Sequence, residues 1–186
     1  MKEFNIPRDK IILGFVGRLD EQKGIIPFIK EFVKHKDEFD DCKIILVGNG
    51  SQEEEIRNII KKFNLEKIFI LTGFQDNVYK FYPIIDVFFL PSLYEGLPMV
   101  LLEAMAFKKG IISMNVGSIN EVIKDNKTGI LIEDGNYSKF IVGLKTMKED
   151  KFNRDKLGNN AFEYIKSNYD IKEYRSSIEK IYDSQI

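Results

Sequence analysis

The stretch that decides the fold of this chain is Glu95-Gly96-Leu97-Pro98-Met99-Val100-Leu101-Leu102-Glu103, which carries two carboxylates eight positions apart. It closely follows Asp86-Val87-Phe88-Phe89-Leu90, a short apolar run that predicts a buried strand. Pro98 suits the first position of a helix, because its missing N–H would have no partner there. Glu95 should therefore lie at the carboxyl end of a strand, where open α/β sheets bind ligands, and Glu103 on the helix that begins there.

Short apolar runs alternate with amphipathic stretches along the chain, a pattern typical of βα units and a parallel sheet. After the sixth run only helices are predicted, near 136–149, 155–168 and 171–184. The sequence thus predicts an α/β fold, a Rossmann-like parallel sheet of six strands with helices on both faces and a helical C-terminal tail. The predicted strands are 11–16, 43–47, 68–71, 87–90, 110–114 and 130–132.

Composition excludes several classes of protein. A length of 186 residues with 44% hydrophobic content supports one domain with a buried core. A formal net charge of −1 argues against a nucleic-acid partner, since duplex binding depends on clustered positive charge. The single cysteine, Cys42, excludes an internal disulfide, and we expect it half-buried beside a strand in a reducing cytosol. With neither a C-x-x-C pair nor a histidine cluster, no metal site is predicted.

The predicted loop after the first strand combines glycines with two cations. Gly17 and Arg18 end the strand, and Lys23 and Gly24 open the next helix. A glycine lets backbone approach a phosphate, and a helix N-terminus offers free N–H groups. Arg18 supplies a planar fork for phosphate oxygens, whereas Lys23 supplies a compact, mobile charge. The alternative is that both are surface cations on a solvated loop.

Glu103 also has two explanations. The helix dipole stabilises a Glu near a helix N-terminus by roughly 0.3–1 kcal/mol. The neighbours of Glu103 are mostly apolar, however, so this helix is predicted to be buried, and a buried carboxylate needs a partner.

In their order along the chain, these motifs resemble the retaining glycosyltransferases of the GT-B fold, specifically the group 1 (family 4) enzymes. Residues 91–106 resemble their E-x7-E signature, and the loop Gly14-Phe15-Val16-Gly17-Arg18-Leu19-Asp20-Glu21-Gln22-Lys23-Gly24 resembles their diphosphate-binding loop. Further matches follow in the expected order: Leu46-Val47-Gly48-Asn49-Gly50, Leu71-Thr72-Gly73-Phe74, Val116-Gly117-Ser118-Ile119-Asn120-Glu121-Val122-Ile123 and Gly129-Ile130-Leu131-Ile132. Gly117-Ser118 departs from the more usual Gly-Gly, which leaves the donor contact of that loop open.

The resemblance implies a donor site for a nucleoside diphosphate sugar, with a UDP-sugar expected and no cofactor or metal. Arg18, Lys23 and Glu95 are the implied catalytic residues: the two cations hold the diphosphate, and Glu95 faces hydroxyls of the donor sugar. Glu103 would accept hydrogen bonds from the ribose. The other implied donor contacts, largely through backbone groups, are Gly17 in the diphosphate loop, Gly96, Leu97 and Met99 for the sugar, Val100 and Leu101 for phosphate, and Gly73, Phe74 and Gln75 for the nucleobase.

The resemblance also places every motif in the second of two GT-B domains. Residues 1–10 then look like the inter-domain connector, residues 11–186 form the nucleotide-sugar-binding domain, and the N-terminal acceptor domain is absent. We expect that domain on the same natural chain or on a partner chain. The expected acceptor is a glycan or a lipid-linked saccharide, and the expected location is the cytoplasm, with room for peripheral association of the full enzyme at the inner membrane face.

Three other functions compete with a hexosyltransferase. A nucleotide-sugar-binding module or subunit without independent catalysis is the main alternative. A GT-B epimerase ranks lower, because those enzymes lack this E-x7-E arrangement. A nicotinamide dehydrogenase is weaker still, because Glu53 stands where a G-x-G-x-x-G fingerprint at Gly48 would need its third glycine.

Overall fold

The computed structural model describes residues 4, 6, 7 and 9–169, so the helix predicted near 171–184 and part of the predicted connector lie outside the described residues. Six parallel strands form one sheet in the order β3-β2-β1-β4-β5-β6, and the order in which the chain adds strands reverses between β1 and β4. The predicted Rossmann-like fold is therefore confirmed. The strands are β1 Ile11–Val16, β2 Cys42–Val47, β3 Phe69–Gly73, β4 Val87–Leu90, β5 Gly110–Asn115 and β6 Ile130–Glu133.

The helices follow the strands in the alternating order that the sequence predicts. They are α1 Ile25–Phe32, α2 Glu53–Lys62, α3 Met99–Ala106, α4 Ile119–Val122, α5 Tyr137–Glu149 and α6 Lys151–Asn168. Helix α6 begins earlier than the predicted residue 155, because the Asp150 side chain accepts a hydrogen bond from the Asn153 N–H at 2.9 Å and caps it. In the described part of the chain, no helix combines the length and apolar character needed to span a bilayer.

Four strands differ from their predicted bounds: β5 and β6 each end one residue later than predicted, and β2 and β3 differ for identifiable reasons. Strand β2 begins at Cys42, which pairs with Ile11, so this cysteine is fully buried rather than half-buried. Burial raises the pKa of the Cys42 thiol to about 12, and the thiol donates to the Phe39 carbonyl at 3.2 Å. Strand β3 continues past its predicted end because its pairing with β2 shifts register and extends to Gly73.

Aromatic packing holds helices α1 and α5 to the sheet. Phe28 of α1 lies 4.9 Å from Phe89 of β4 and 5.9 Å from Phe140 of α5, measured between ring centroids. All three side chains are fully buried, and such pairs contribute about 0.5–1.5 kcal/mol each beyond the burial of their area. This packing fixes the start of α1 and the end of β4, the two elements whose loops form the site described next.

Candidate functional site

The site lies where the strand order of the sheet reverses, between the loops that follow β1 and β4. The two loops contact each other directly: the Leu93 N–H donates to the Gln22 carbonyl at 2.9 Å, and the Gln22 side-chain amide donates to the Tyr94 carbonyl at 3.1 Å. The diphosphate-loop motif and the E-x7-E motif, 72 positions apart along the chain at Lys23 and Glu95, therefore form one wall.

Gly24 sets how closely these loops approach. Its backbone has a left-handed φ of 65°, between the 3-10 turn Glu21–Lys23 and helix α1. A Cβ at this position would lie 2.1 Å from the Pro91 carbonyl oxygen and 2.7 Å from the Tyr137 hydroxyl. The Tyr137 hydroxyl in turn donates to the Pro91 carbonyl at 3.1 Å. Only glycine fits here, and the resulting contact brings Lys23 against the loop after β4.

Glu95 is held on one oxygen by two donors. Its Oε1 accepts a hydrogen bond from Lys23 Nζ at 2.7 Å and from Ser92 Oγ at 2.6 Å. The Glu95 side chain is only 5% exposed, Lys23 is 15% exposed, and Ser92 is fully buried. Neither bond uses Oε2, so as far as the described residues show, this oxygen can accept from a further donor such as a hydroxyl. The sequence predicts Lys23 at a phosphate, and the structure places its ammonium on Glu95; the contribution of Ser92 was missed.

The loop after β5 supports Glu95 from its backbone side. Gly117 has a left-handed φ of 55°, and a Cβ there would lie 1.7 Å from the Glu95 carbonyl oxygen. Ser118 has a φ of −91°, which any residue adopts, so a serine in place of the usual second glycine is accommodated. The Gly117-Ser118 loop therefore contacts the main chain of Glu95.

Glu103, the second carboxylate, lies on α3 and has a partner that the sequence did not indicate. Its Oε2 accepts a hydrogen bond from the Tyr82 hydroxyl at 2.6 Å. Burial, reinforced by the nearby Glu103 carboxylate, raises the pKa of the Tyr82 hydroxyl well above its usual value, so Tyr82 is a permanent donor. The Tyr79 hydroxyl approaches Oε1 only to 3.5 Å, too long for an ordinary O–H···O bond.

A cavity of about 380 Å³ lies at this sheet edge and is lined by nearly half of the predicted site residues. It brings together six predicted residues, Gly17, Arg18, Phe74, Gln75, Val100 and Glu103, with Val16, Val47, Gly48, Asn49 and Val78 between them. Lys23 and Glu95 are not part of its lining. A larger cavity of about 690 Å³, between α1 and the start of α5, contains none of the predicted site residues.

The remaining predicted residues, apart from Gly73, lie around the first turn of α3. The helix begins at Met99, so Pro98 precedes it as the capping residue instead of occupying its predicted first position, because its ψ of 111° is extended. The Leu101 N–H, expected at a phosphate, donates to the Pro98 carbonyl at 3.0 Å, and a ligand would have to share it. Gly96, Leu97 and Met99 are exposed, and Gly73 ends β3 with a φ of 66°.

With this geometry established, comparison with known proteins identifies the family. Residues 1–164 match the family model described as glycosyl transferases group 1, and the chain belongs to that family. The chain is 33% identical over 174 residues to the N-acetylgalactosamine-N,N'-diacetylbacillosaminyl-diphospho-undecaprenol 4-alpha-N-acetylgalactosaminyltransferase of Campylobacter jejuni, covering 90% of this chain and 47% of that protein. It is 30% identical over 182 residues to the N-acetyl-alpha-D-glucosaminyl L-malate synthase of Bacillus anthracis, covering 97% and 47%. The chain thus spans about half the length of these relatives.

Solved structures agree on the fold. The C-terminal domain of the group 1 glycosyl transferase LpcC from Francisella tularensis is 25% identical, with a TM-score of 0.81 and coverage of 91% of each chain. S. aureus TarM, in a complex with fondaparinux, alpha-GlcNAc-glycerol and UDP, is 26% identical, with a TM-score of 0.84 over 95% of this chain and 36% of that one. The chain therefore has the fold of a group 1 C-terminal domain.

Proposed function

We propose that this chain is the donor-binding domain of a retaining, family 4 hexosyltransferase, which transfers a hexosyl group from a nucleoside diphosphate sugar to a glycan or lipid-linked acceptor. The observation that carries the proposal is the placement of Glu95 and Glu103. Both lie on one loop–helix unit at the point where the strand order of the sheet reverses, and Glu103 lines the cavity of about 380 Å³.

We assign each group a role that its position in the structure supports. Glu103 and the cavity would receive the nucleoside, with Phe74 and Gln75 at the base. Gly17, Arg18 and the first N–H groups of α3 would receive the diphosphate, since a helix N-terminus favours anions. Glu95 and Lys23 would contact the sugar and the departing phosphate, stabilising the developing charge without a metal.

The names of the relatives favour particular ligands. The TarM structure contains UDP, and the name of the Campylobacter jejuni relative describes a diphospho-undecaprenol-linked saccharide. We therefore propose a UDP-sugar donor and a lipid-linked or glycan acceptor, used in the cytoplasm with peripheral association at the membrane. No cofactor is proposed.

The half-length match supports a missing acceptor domain, on the same natural chain or on a partner. Residues 1–10 would be the connector to it; within them, Phe4 already packs on Phe81 at 5.9 Å between ring centroids. The same half-length match favours one alternative, a nucleotide-sugar-binding subunit without catalysis of its own.

Calorimetric titration of the chain with UDP, GDP and ADP tests the donor site, and UDP should bind with the highest affinity. Absence of binding by all three would refute the site.

An assay of sugar transfer tests the catalytic part of the proposal. The chain alone should transfer no sugar, because holding the acceptor in attack geometry lowers the reaction barrier by roughly 7–11 kcal/mol. Adding an acceptor domain from a full-length relative should restore transfer. If no acceptor domain restores transfer to a chain that binds UDP, the alternative is supported.

A further inference from the structure

We propose that Tyr82 is a positioning residue, one that fixes the Glu103 carboxylate in the orientation that receives the ribose hydroxyls of the donor nucleotide. The inference rests on the proposed function, and it concerns a residue that does not line the cavity.

Tyr82 is held more firmly than a surface tyrosine could be. Its side chain is fully buried, and its ring stacks on Phe107 with centroids 5.1 Å apart and an interplanar angle of 11°. Phe88 of β4 stacks with the same ring at 6.0 Å and 28°. A ring fixed by two neighbours carries its hydroxyl to a fixed point, which is 2.6 Å from Glu103 Oε2.

This contact determines what Glu103 can do for a ligand. Because Tyr82 remains protonated, the bond always runs from its hydroxyl to the carboxylate, and it occupies Oε2. Oε1, which among the described residues has only the long 3.5 Å contact to Tyr79, then has the most accepting capacity left for a ligand in the cavity. A carboxylate oxygen accepts more than one hydrogen bond, so a fixed Oε1 can receive the two neighbouring hydroxyls of a ribose. Without Tyr82, the carboxylate would be free to rotate, and its preference for a ribose would fall.

The neighbouring Tyr79 supplies a matched control. Its hydroxyl approaches the other oxygen of the same carboxylate, yet at 3.5 Å, and its side chain is 55% exposed. Replacement of either tyrosine by phenylalanine removes one hydroxyl near Glu103 and preserves a ring. Only Tyr82 should matter if the short, buried bond is what positions Glu103.

The experiment measures, by calorimetry on this chain, the affinity for UDP and for dideoxy-UDP, which lacks both ribose hydroxyls. The parent chain should prefer UDP. Tyr82→Phe should reduce that preference by about tenfold, the order expected for a hydrogen bond to a charged group, while dideoxy-UDP binds as before. Tyr79→Phe should retain the preference to within about twofold. Adding Tyr82→Phe to Glu103→Gln should reduce the preference no further, because the effect acts through Glu103.

Each other outcome has a definite meaning. If Tyr82→Phe keeps the preference for UDP, Tyr82 does not position Glu103. The same conclusion follows if Tyr82→Phe lowers the affinity for both ligands equally while its far-UV circular dichroism spectrum stays that of the parent. If the parent chain binds both ligands equally, Glu103 does not receive the ribose, and the inference fails although the diphosphate site stands. If the parent chain binds neither ligand, the proposed function fails and this inference fails with it.

Discussion

Arg18 and Lys23 belong to one loop and have the same sequence-based prediction, yet the structure places them in different environments. The Lys23 side chain is 15% exposed and forms an ion pair of 2.7 Å with a Glu95 that is 5% exposed. Arg18 is 72% exposed and forms an ion pair of 3.1 Å with Asp20. The inner cation is part of the folded framework, whereas the outer one remains in solvent on the rim of the cavity. A cation of the first kind contributes to stability before any ligand binds, and a cation of the second kind contributes mainly when an anion arrives.

The difference between the buried Lys23 and the exposed Arg18 should be largest in the stability of Lys23→Met. Removing one partner of a buried ion pair leaves an uncompensated charge, so we expect the free energy of unfolding to fall by about 3 kcal/mol. The double variant Lys23→Met/Glu95→Gln should recover part of that loss. Urea denaturation followed by circular dichroism measures both. Arg18→Met is the control and should change stability by less than about 0.5 kcal/mol; equal losses for the two cations would remove the distinction.

Ligand binding should show whether Arg18 and Lys23 contact the diphosphate or are ordinary surface charges. Arg18→Ala should weaken the binding of UDP by about 1.5–3 kcal/mol and leave the binding of uridine nearly unchanged, because we expect Arg18 to contact phosphate. Lys23→Ala should also weaken the binding of UDP more than the binding of uridine. Because this variant is expected to be less stable, the titration is done well below its melting temperature. Calorimetric titration with both ligands provides the measurement. A variant that loses both ligands equally would place its cation away from the diphosphate.

Backbone crowding around Glu95 can be tested with two glycines of similar conformation. Gly117 and Gly135 have φ of 55° and 72°, but a Cβ would meet the Glu95 carbonyl only at Gly117, and nothing within 4 Å at Gly135. Both alanine variants incur the strain of a left-handed residue, about 1–3 kcal/mol. We expect Gly117→Ala to be less stable than Gly135→Ala. We also expect it to lose more affinity for a UDP-sugar than for UDP. Thermal unfolding and competition binding would contradict this if the two variants behaved alike.

The smallest expected effect concerns the hydroxyl on Glu95. Ser92→Ala removes the 2.6 Å bond to Oε1 but leaves Lys23 in place, so we expect a loss of stability of about 1 kcal/mol. Ser113, also buried but bonded only to main-chain carbonyls, is the control: Ser113→Ala should leave the affinity for a UDP-sugar unchanged. Ser92→Ala should lower that affinity, and if it does not, Ser92 acts only in folding.

The local pattern of apolar residues predicted the sheet. The features that this pattern missed depend on contacts between residues far apart in the sequence. Alternating apolar runs report burial along one element at a time, which is why the strand centres were correct and several ends were not. The bond between Tyr82 and Glu103 joins a 3-10 turn to a helix, and no period in the sequence relates the two positions. The difference between Arg18 and Lys23 likewise depends on which residue the second loop brings close, since both are cations after a glycine-ended strand.

The close contact at Gly24 has a consequence for exchanging segments between relatives. At Gly24, the loop of residues 17–24 fits against the Pro91 carbonyl and the Tyr137 hydroxyl with no space for even one added carbon. A chimera that receives this loop alone would join it to a surface shaped for another sequence. One that receives residues 17–24 together with 91–98 and Tyr137 would keep the match, so these three pieces form a single transferable unit.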